Sequence, residues 1–239
     1  SALAQDYPHT EVIVVEHAPR LMARQLDDAA SEMLREHVMS RGIQVILGNG
    51  VKVILGDEQV EGILLRNGRV IDCDTIVVAT GINPNIKLAL DAHLKVGRGI
   101  VVDDTMQTSD PSIYAAGECV EHRKKVYGLV APGLEQAAVA AHSILKGESH
   151  YIGSSTTSRL KVLDIEVFSA GKVGEEWSEI SYKPFVYESA GKSIYRKLVI
   201  CHNRLVGAIV IGSWSELNRL QEMIDNGQAE EMLRQMQSQ

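Results

Sequence analysis

The sequence predicts an α/β protein: doubly wound units first, then an α+β domain. Three observations carry this. A strand, a helix and a strand follow one another within about 35 residues near the start, which is half of a doubly wound unit. An Ala-rich helix spans residues 132–146. Beyond Gly153 the chain changes to β-branched strands with helices at the end.

Residues 11–16, EVIVVE, are an apolar run closed by an acid and read as a buried strand. Asp27 or Asp28 offers an N-cap. Ala30, Met33, Leu34 and Val38 then recur at helical spacing up to Gly42, a natural C′ residue. Residues 43–47 form a second strand. Short strands follow at 51–55, 60–65 and 69–71, and Asn67-Gly68 suits a two-residue type I′ turn. Together they read as an antiparallel meander. Residues 75–79 are expected to be another buried strand, with a loop from Pro84. A new unit begins around 86–100, with a strand at 113–116 and the helix at 132–146. Pro132 sits near its first position and Gly147 ends it. Residues 153–157 read as a linker. Strands at 160–169, 193–200 and 205–211 and helices at 215–226 and 229–237 complete the chain.

Composition excludes several functions. The 239 residues carry 24 Lys and Arg against 31 Asp and Glu, a net charge of -7. Apolar residues make up 45% and charged residues 23%, ordinary for a globular protein with a real core. Binding to a nucleic-acid backbone needs clustered cations, and the one basic cluster is Arg123-Lys124-Lys125. No nucleic-acid partner is therefore expected. No apolar run approaches the roughly 18–20 residues of a membrane span. Residues 1–10 lack the basic start and apolar stretch of a signal peptide. Three scattered cysteines, Cys73, Cys119 and Cys201, form no disulfide framework and point to a reducing cytoplasm.

Glu16 closes the first strand, where a dinucleotide-binding unit places the acid that holds the ribose hydroxyls. The Gly-rich phosphate fingerprint belongs about 20 residues earlier, and none of the 20 glycines forms a G-x-G-x-x-G. Glu16 is either a plain strand-end acid, or the chain begins inside a nucleotide domain.

Read together, several segments tip that balance. Residues 12–16 (VIVVE) with 18–22 (APRLM), and 75–85 (TIVVATGINPN), resemble the nucleotide domain of FAD-dependent pyridine-nucleotide oxidoreductases. Residues 108–118, TSDPSIYAAGE, resemble the family's second FAD motif. Residues 117–132, GECVEHRKKVYGLVAP, are most similar to the flavin region of the NAD(P)H nitrite reductase large subunit, near the NADH–rubredoxin reductases. The resemblance covers about residues 10–235. It departs in lacking both Gly-rich fingerprints, the first FAD half-domain and the downstream cysteine ligands of Fe–S and sirohaem centres.

The resemblance implies truncated FAD/NAD(P)-binding units at 1–90 (NAD(H)) and 91–152 (FAD), then an α+β interface domain at 153–239. Gly117 lets backbone approach the flavin, and Glu118 accepts ribityl or ribose hydroxyls. Leu129, Val130 and Ala131, just before the helix, address the pyrimidine edge of the ring. Glu16 holds the NADH ribose and disfavours a 2′-phosphate, with Arg20 softening that preference. Thr80 and Gly81 lie near the passage between nicotinamide and flavin. No catalytic side chain is implied, because the cofactors do the chemistry.

The disulfide reductases of this superfamily use a close cysteine pair, which is absent here. Cys73 and Cys119 read as packing residues and Cys201-His202 as part of an exposed hairpin turn. Cys119 and His122 make a C-x-x-H spacing, which is half a metal site and is read as none. Trp177, Phe185 and Trp214 read as core rather than docking residues. Two functions stand side by side. One is a fragment of an FAD-dependent NADH oxidoreductase that passes electrons to an Fe–S or haem partner. The other is a non-catalytic module for assembly. As a fragment, the chain is expected to hold neither FAD nor NADH by itself and to form a homodimer.

Overall fold

A computed structural model describes residues 10–145, 147–154, 157–173, 183–189 and 194–227. In chain order the elements are β1 (Ile13–Val15), α1 (Asp28–Ser40), β2 (Gln44–Ile46), β3 (Val51–Leu55), β4 (Gly62–Leu65) and β5 (Val70–Asp72). Then come α2 (Lys87–Asp91), β6 (Ile100–Val102), β7 (Val120–His122) and α3 (Val130–Ile144). The last are β8 (Thr157–Val162), β9 (Ile165–Gly171), β10 (Lys183–Ser189), β11 (Ile194–Cys201), β12 (Arg204–Ile211) and α4 (Leu217–Asn226). The chain forms two compact units, residues 1–76 with 155–239, and residues 77–154. The helix expected at 229–237, Trp177 and the side chain of Phe185 lie outside the described residues.

In the first unit β1 and β2 pair in parallel, with Val14 opposite Val45. The meander β3-β4-β5 is antiparallel, and Ile63, Leu65 and Ile71 pack against Ile13, Val15, Ile46 and Cys73. The larger sheet runs β10-β11-β12-β9-β8. Its strands alternate between two cores, as a period of two requires. Val167, Ile209 and Ile211 meet Ala30, Leu34 and Val38 of α1. Phe168, Ala170, Ala208 and Val210 meet Leu217, Leu220 and Met223 of α4. A sheet covered on both faces explains why β12 reads RLVGAIVI, with no polar residue after Arg204. Trp214 is buried in the α4 core.

The second unit has a parallel pair, β6 and β7. Val102, Met106, Val120, Ala140 and Tyr151 form its core, with Cys119 half-buried against it.

Several local expectations need correction. Residues 75–79 form no strand; the chain there finds no ladder partner, and Val77 is 76% exposed. Residues 113–116 are not a strand either, because Tyr114 makes only an isolated bridge to Gln107. The ladder instead uses 100–102 and 120–122. The strand expected at 160–169 is a hairpin, with Leu163 and Asp164 both at positive φ, 47° and 72°. That conformation disfavours a residue such as Leu. Burial of the Leu163 side chain, and His37 Nε2 lying 2.8 Å from its carbonyl, offset the cost. At Asn67-Gly68 only Gly68 takes a positive φ, 89°. The Leu65 N–H donates to Arg69 O at 2.8 Å, so the loop is one residue longer than a type I′ turn, and Asn67 Oδ1 accepts the Arg69 N–H within it at 3.0 Å. Helix α3 begins at Val130, two residues early, which makes Pro132 its third residue.

Asp27 ties α1 to the large sheet. It caps the helix, accepting the Ala30 N–H at 3.1 Å. Its Oδ2 also accepts Tyr195 Oη–H and Lys197 Nζ–H from β11, each at 2.7 Å. Burial pushes this carboxyl up, but the bonds from Lys197, Tyr195 and Ala30 together hold it below the usual carboxylate range. Asp27→Ala removes a cap worth about 1 kcal/mol and takes away the carboxylate that accepts from Tyr195 and Lys197. Urea unfolding should show a loss of about 2 kcal/mol or more, and an unchanged midpoint would refute this reading.

In the second unit Asp104 joins two parts of the chain. Arg123 donates from Nε at 2.9 Å and Nη2 at 2.6 Å, and His122 Nε2 lies 2.8 Å away. The Arg123 hydrogen bonds first, and His122 second, hold the Asp104 carboxyl at about 2 against an ordinary 3.8. Because the folded value is the lower one, the stabilisation is complete above about pH 4 and disappears as pH falls through about 2. Carboxyl ¹³C shifts should find Asp104 still ionised at about pH 3. Arg123→Ala should raise its midpoint; an identical titration in the variant would contradict the assignment.

Candidate functional site

The second unit gathers most of the residues singled out from the sequence around one backbone turn. Gly117 sits at φ +100° with no atom within 4 Å of where a Cβ would point. Its N–H donates to Gln136 Oε1 at 2.8 Å. A Cβ on Gly133, in the first turn of α3, would come within 3.2 Å of Gly117 Cα. Only two glycines allow this helix and this turn so close an approach. Glu118 follows, exposed to solvent.

Leu129, Val130 and Ala131 do not precede the helix but open it. Leu129 is the N-cap, and its side chain caps nothing. Val130 and Ala131 are the first two helical residues, and Pro132 has no N–H to offer. The N–H groups of Val130 and Ala131 have no acceptor among the described residues. All three side chains are exposed. The positive end of a helix macrodipole thus faces outward with two donors unused. Thr80 and Gly81 are exposed and lead into Ile82, which packs against Gly128: a Cβ there would lie 2.9 Å from Ile82 Cδ1. The loop before α3 is therefore held against the 80–82 segment.

Glu16 belongs to the first unit. Its backbone continues the β1–β2 ladder, donating to Ile46 O at 2.8 Å. Its Oε1 accepts the Ala18 N–H at 2.7 Å, while Oε2 has no partner among the described residues. Half-buried at the strand end, the carboxylate is oriented with one oxygen available. Arg20 gives its guanidinium to Leu26 O, Ala23 O and Asp28.

The cysteines have local roles. Cys119 Sγ lies 3.8 Å from Ala116 O. The His122 ring is 1% exposed and engages Asp104. Cys201, half-buried, lies 3.2 Å from His202 Nδ1.

Gln136 was missed by the sequence reading, although a signal for it exists. Pro132, Gln136 and Ala140 lie on the buried side of α3. A polar residue on an otherwise apolar helical stripe must find a partner, and a glycine turn was already expected nearby.

These features can be set against known proteins. The profile of the pyridine nucleotide-disulphide oxidoreductase family matches residues 1–143. That of the rubredoxin NAD+ reductase C-terminal domain matches residues 157–228. The chain is 43% identical over 215 residues to nitrite reductase [NAD(P)H] of Bacillus subtilis (strain 168), covering 90% of this chain and 26% of the relative. It is 36% identical over 223 residues to the nitrite reductase (NADH) large subunit of Escherichia coli (strain K12), with 90% and 26% covered. The chain thus spans about a quarter of the length of these relatives. Among solved structures, an NAD-dependent persulfide reductase from A. fulgidus superposes with a TM-score of 0.78 at 30% identity, over 98% of this chain and 47% of that one. With the family profile matching more than half of its residues and the α/β architecture in agreement, the chain belongs to the pyridine nucleotide-disulphide oxidoreductase family.

Proposed function

We propose that this chain is the electron-input part of an FAD-dependent NADH oxidoreductase of the nitrite-reductase type, feeding an Fe–S or haem acceptor. The observation that carries it is the open Gly117 turn packed against the start of α3, where two backbone N–H groups lack acceptors among the described residues. The donor set fits one edge of a flavin. Val130 and Ala131 N–H suit the carbonyl-rich pyrimidine edge, and the helix dipole favours negative charge there. Glu118, exposed just after Gly117, suits ribityl hydroxyls. Glu16 offers its free oxygen to the NADH ribose hydroxyls and repels a 2′-phosphate. Thr80 and Gly81 border the nicotinamide passage. The chemistry supplied by the bound cofactors is hydride transfer from nicotinamide to flavin, then delivery of electrons singly.

In this reading residues 1–90 serve NADH, 91–152 serve FAD, and 153–239 form the interface domain. The rubredoxin-reductase match over 157–228 supports an Fe–S protein or domain as acceptor. Three free cysteines support a cytoplasmic setting. Among the described residues no helix is long and apolar enough to cross a membrane.

The protein as its source encodes it should purify yellow, with stoichiometric FAD, and be reduced by NADH in preference to NADPH. Glu16→Ala removes a charged hydrogen-bond acceptor, so the NADH/NADPH ratio of kcat/KM should fall about tenfold or more. Absence of flavin would favour the assembly module, and an unchanged ratio would remove Glu16 from the ribose site.

A homodimer also belongs to this reading. Val130, Leu134 and Ile144 on α3, with Leu145 at its C-cap, leave apolar surface exposed, and such surface favours association. Light scattering across a dilution series should report a dimer at micromolar concentration, where a monomer would overturn it.

A further inference from the structure

We infer that Gln136 is the positioning residue of the cofactor turn: through its side-chain carbonyl it fixes the Gly117 backbone against the first turn of α3. This rests on the flavin reading of that turn. The geometry is specific. Gln136 is 1% exposed, so its amide is committed to protein partners. Its Oε1 takes the Gly117 N–H at 2.8 Å. Gly117 needs such a restraint. At φ +100°, with open space on its Cβ side, glycine has the widest conformational freedom of any residue.

A second layer holds the helix around Gln136. Tyr151, 3% exposed, packs in the same core as Ala140, one turn beyond Gln136 on the buried stripe of α3. The Tyr151 hydroxyl pairs with Ser154 Oγ at 2.5 Å, and Ser154 Oγ donates in turn to Glu135. Tyr127 Oη accepts the Ser154 N–H at 3.1 Å. Residues 151–154 thus fasten α3 at Glu135 and Ala140, on either side of Gln136 in the chain. The buried amide converts a rigid helix into a rigid turn. Val130 N–H, Ala131 N–H and the Gly117 backbone then present to a ligand as one preorganised surface.

Two variants separate this role from general packing. Gln136→Leu keeps the bulk and loses the acceptor. Gln136→Glu keeps an acceptor at the same reach. In the flavin-free protein, the Gly117 amide should exchange about tenfold or more faster in the leucine variant, with α3 amides little changed. The glutamate variant should retain slow Gly117 exchange. In the flavin-loaded protein, the leucine variant should bind FAD about tenfold more weakly. The glutamate variant should bind near wild-type strength but with a lowered reduction potential, from the added negative charge. If Gln136→Leu does not fold, Gln136→Asn, one methylene too short, gives the same readouts. Gly117 exchange unchanged in the leucine or asparagine variant overturns the inference. So does a glutamate variant as impaired as the leucine one. A wild-type protein, as its source encodes it, that binds no FAD overturns the flavin reading and the cofactor role with it, while the amide data still decide whether Gln136 sets the turn.

Discussion

The first unit depends on one carboxylate. Asp27 closes the N-terminus of α1 and accepts Tyr195 and Lys197 from β11, so a residue early in the chain sets where a helix lies on a sheet formed far later. Hydrophobic contact alone would not fix that position, because apolar burial is non-directional. The three bonds at Asp27 are directional and half-buried, and they pin the α1 end that follows the Glu16 turn. His37, in the last turn of α1, reaches the Leu163 carbonyl and fixes the other end. A helix held at both ends also fixes β2 after it, and with β2 the parallel ladder that terminates at Glu16.

The second unit uses a different device. Its ordering contacts converge on polar side chains that hold backbone: Asp104 between His122 and Arg123, Glu121 on the N–H groups of Arg98 and Gly99, Gln136 on Gly117. The core of Val102, Met106, Val120, Ala140 and Tyr151 is small, and such a core specifies position weakly. The part-buried bonds at Gln136, His122 and the Gly99 N–H add specificity, since a buried donor left unsatisfied would cost more than a formed bond contributes. The same unit leaves apolar side chains such as Val77, Leu88 and Leu145 largely exposed.

What the sequence made legible follows from where the physics is local. The α1 helix was readable because Asp27, the 3.6-residue stripe and Gly42 agree with one another. The β1–β2 pair and the meander were readable for the same reason. Failures occur where a residue acts against its own preference. Leu163-Asp164 turns a hairpin with no glycine or asparagine, and only tertiary burial of Leu163 makes that tolerable. Arg123-Lys124 turns likewise, at φ 48° and 65°, beside the Asp104 bonds. Residues 75–79 have strand composition but no ladder, because β-propensity describes a fit to neighbours rather than an intrinsic backbone state.

The candidate site divides along the same line. Glu16 is visible in sequence because its chemistry is a side chain at the end of a strand. The features that the proposed reading assigns to a flavin are mostly backbone: a positive φ at Gly117, two N–H groups without an acceptor among the described residues, and two glycines in close approach. Backbone donors carry no residue identity, so Val130 and Ala131 are chemically anonymous, and their role depends on the helix that starts there. What sequence can reveal of such a site is its support. A glycine that must turn and a polar residue on an apolar helical stripe imply one another. Gly117 and Gln136 are that pair, nineteen positions apart and joined by one hydrogen bond. Where a cofactor is to be held by main chain, the informative residue is the buried side chain that holds the main chain still.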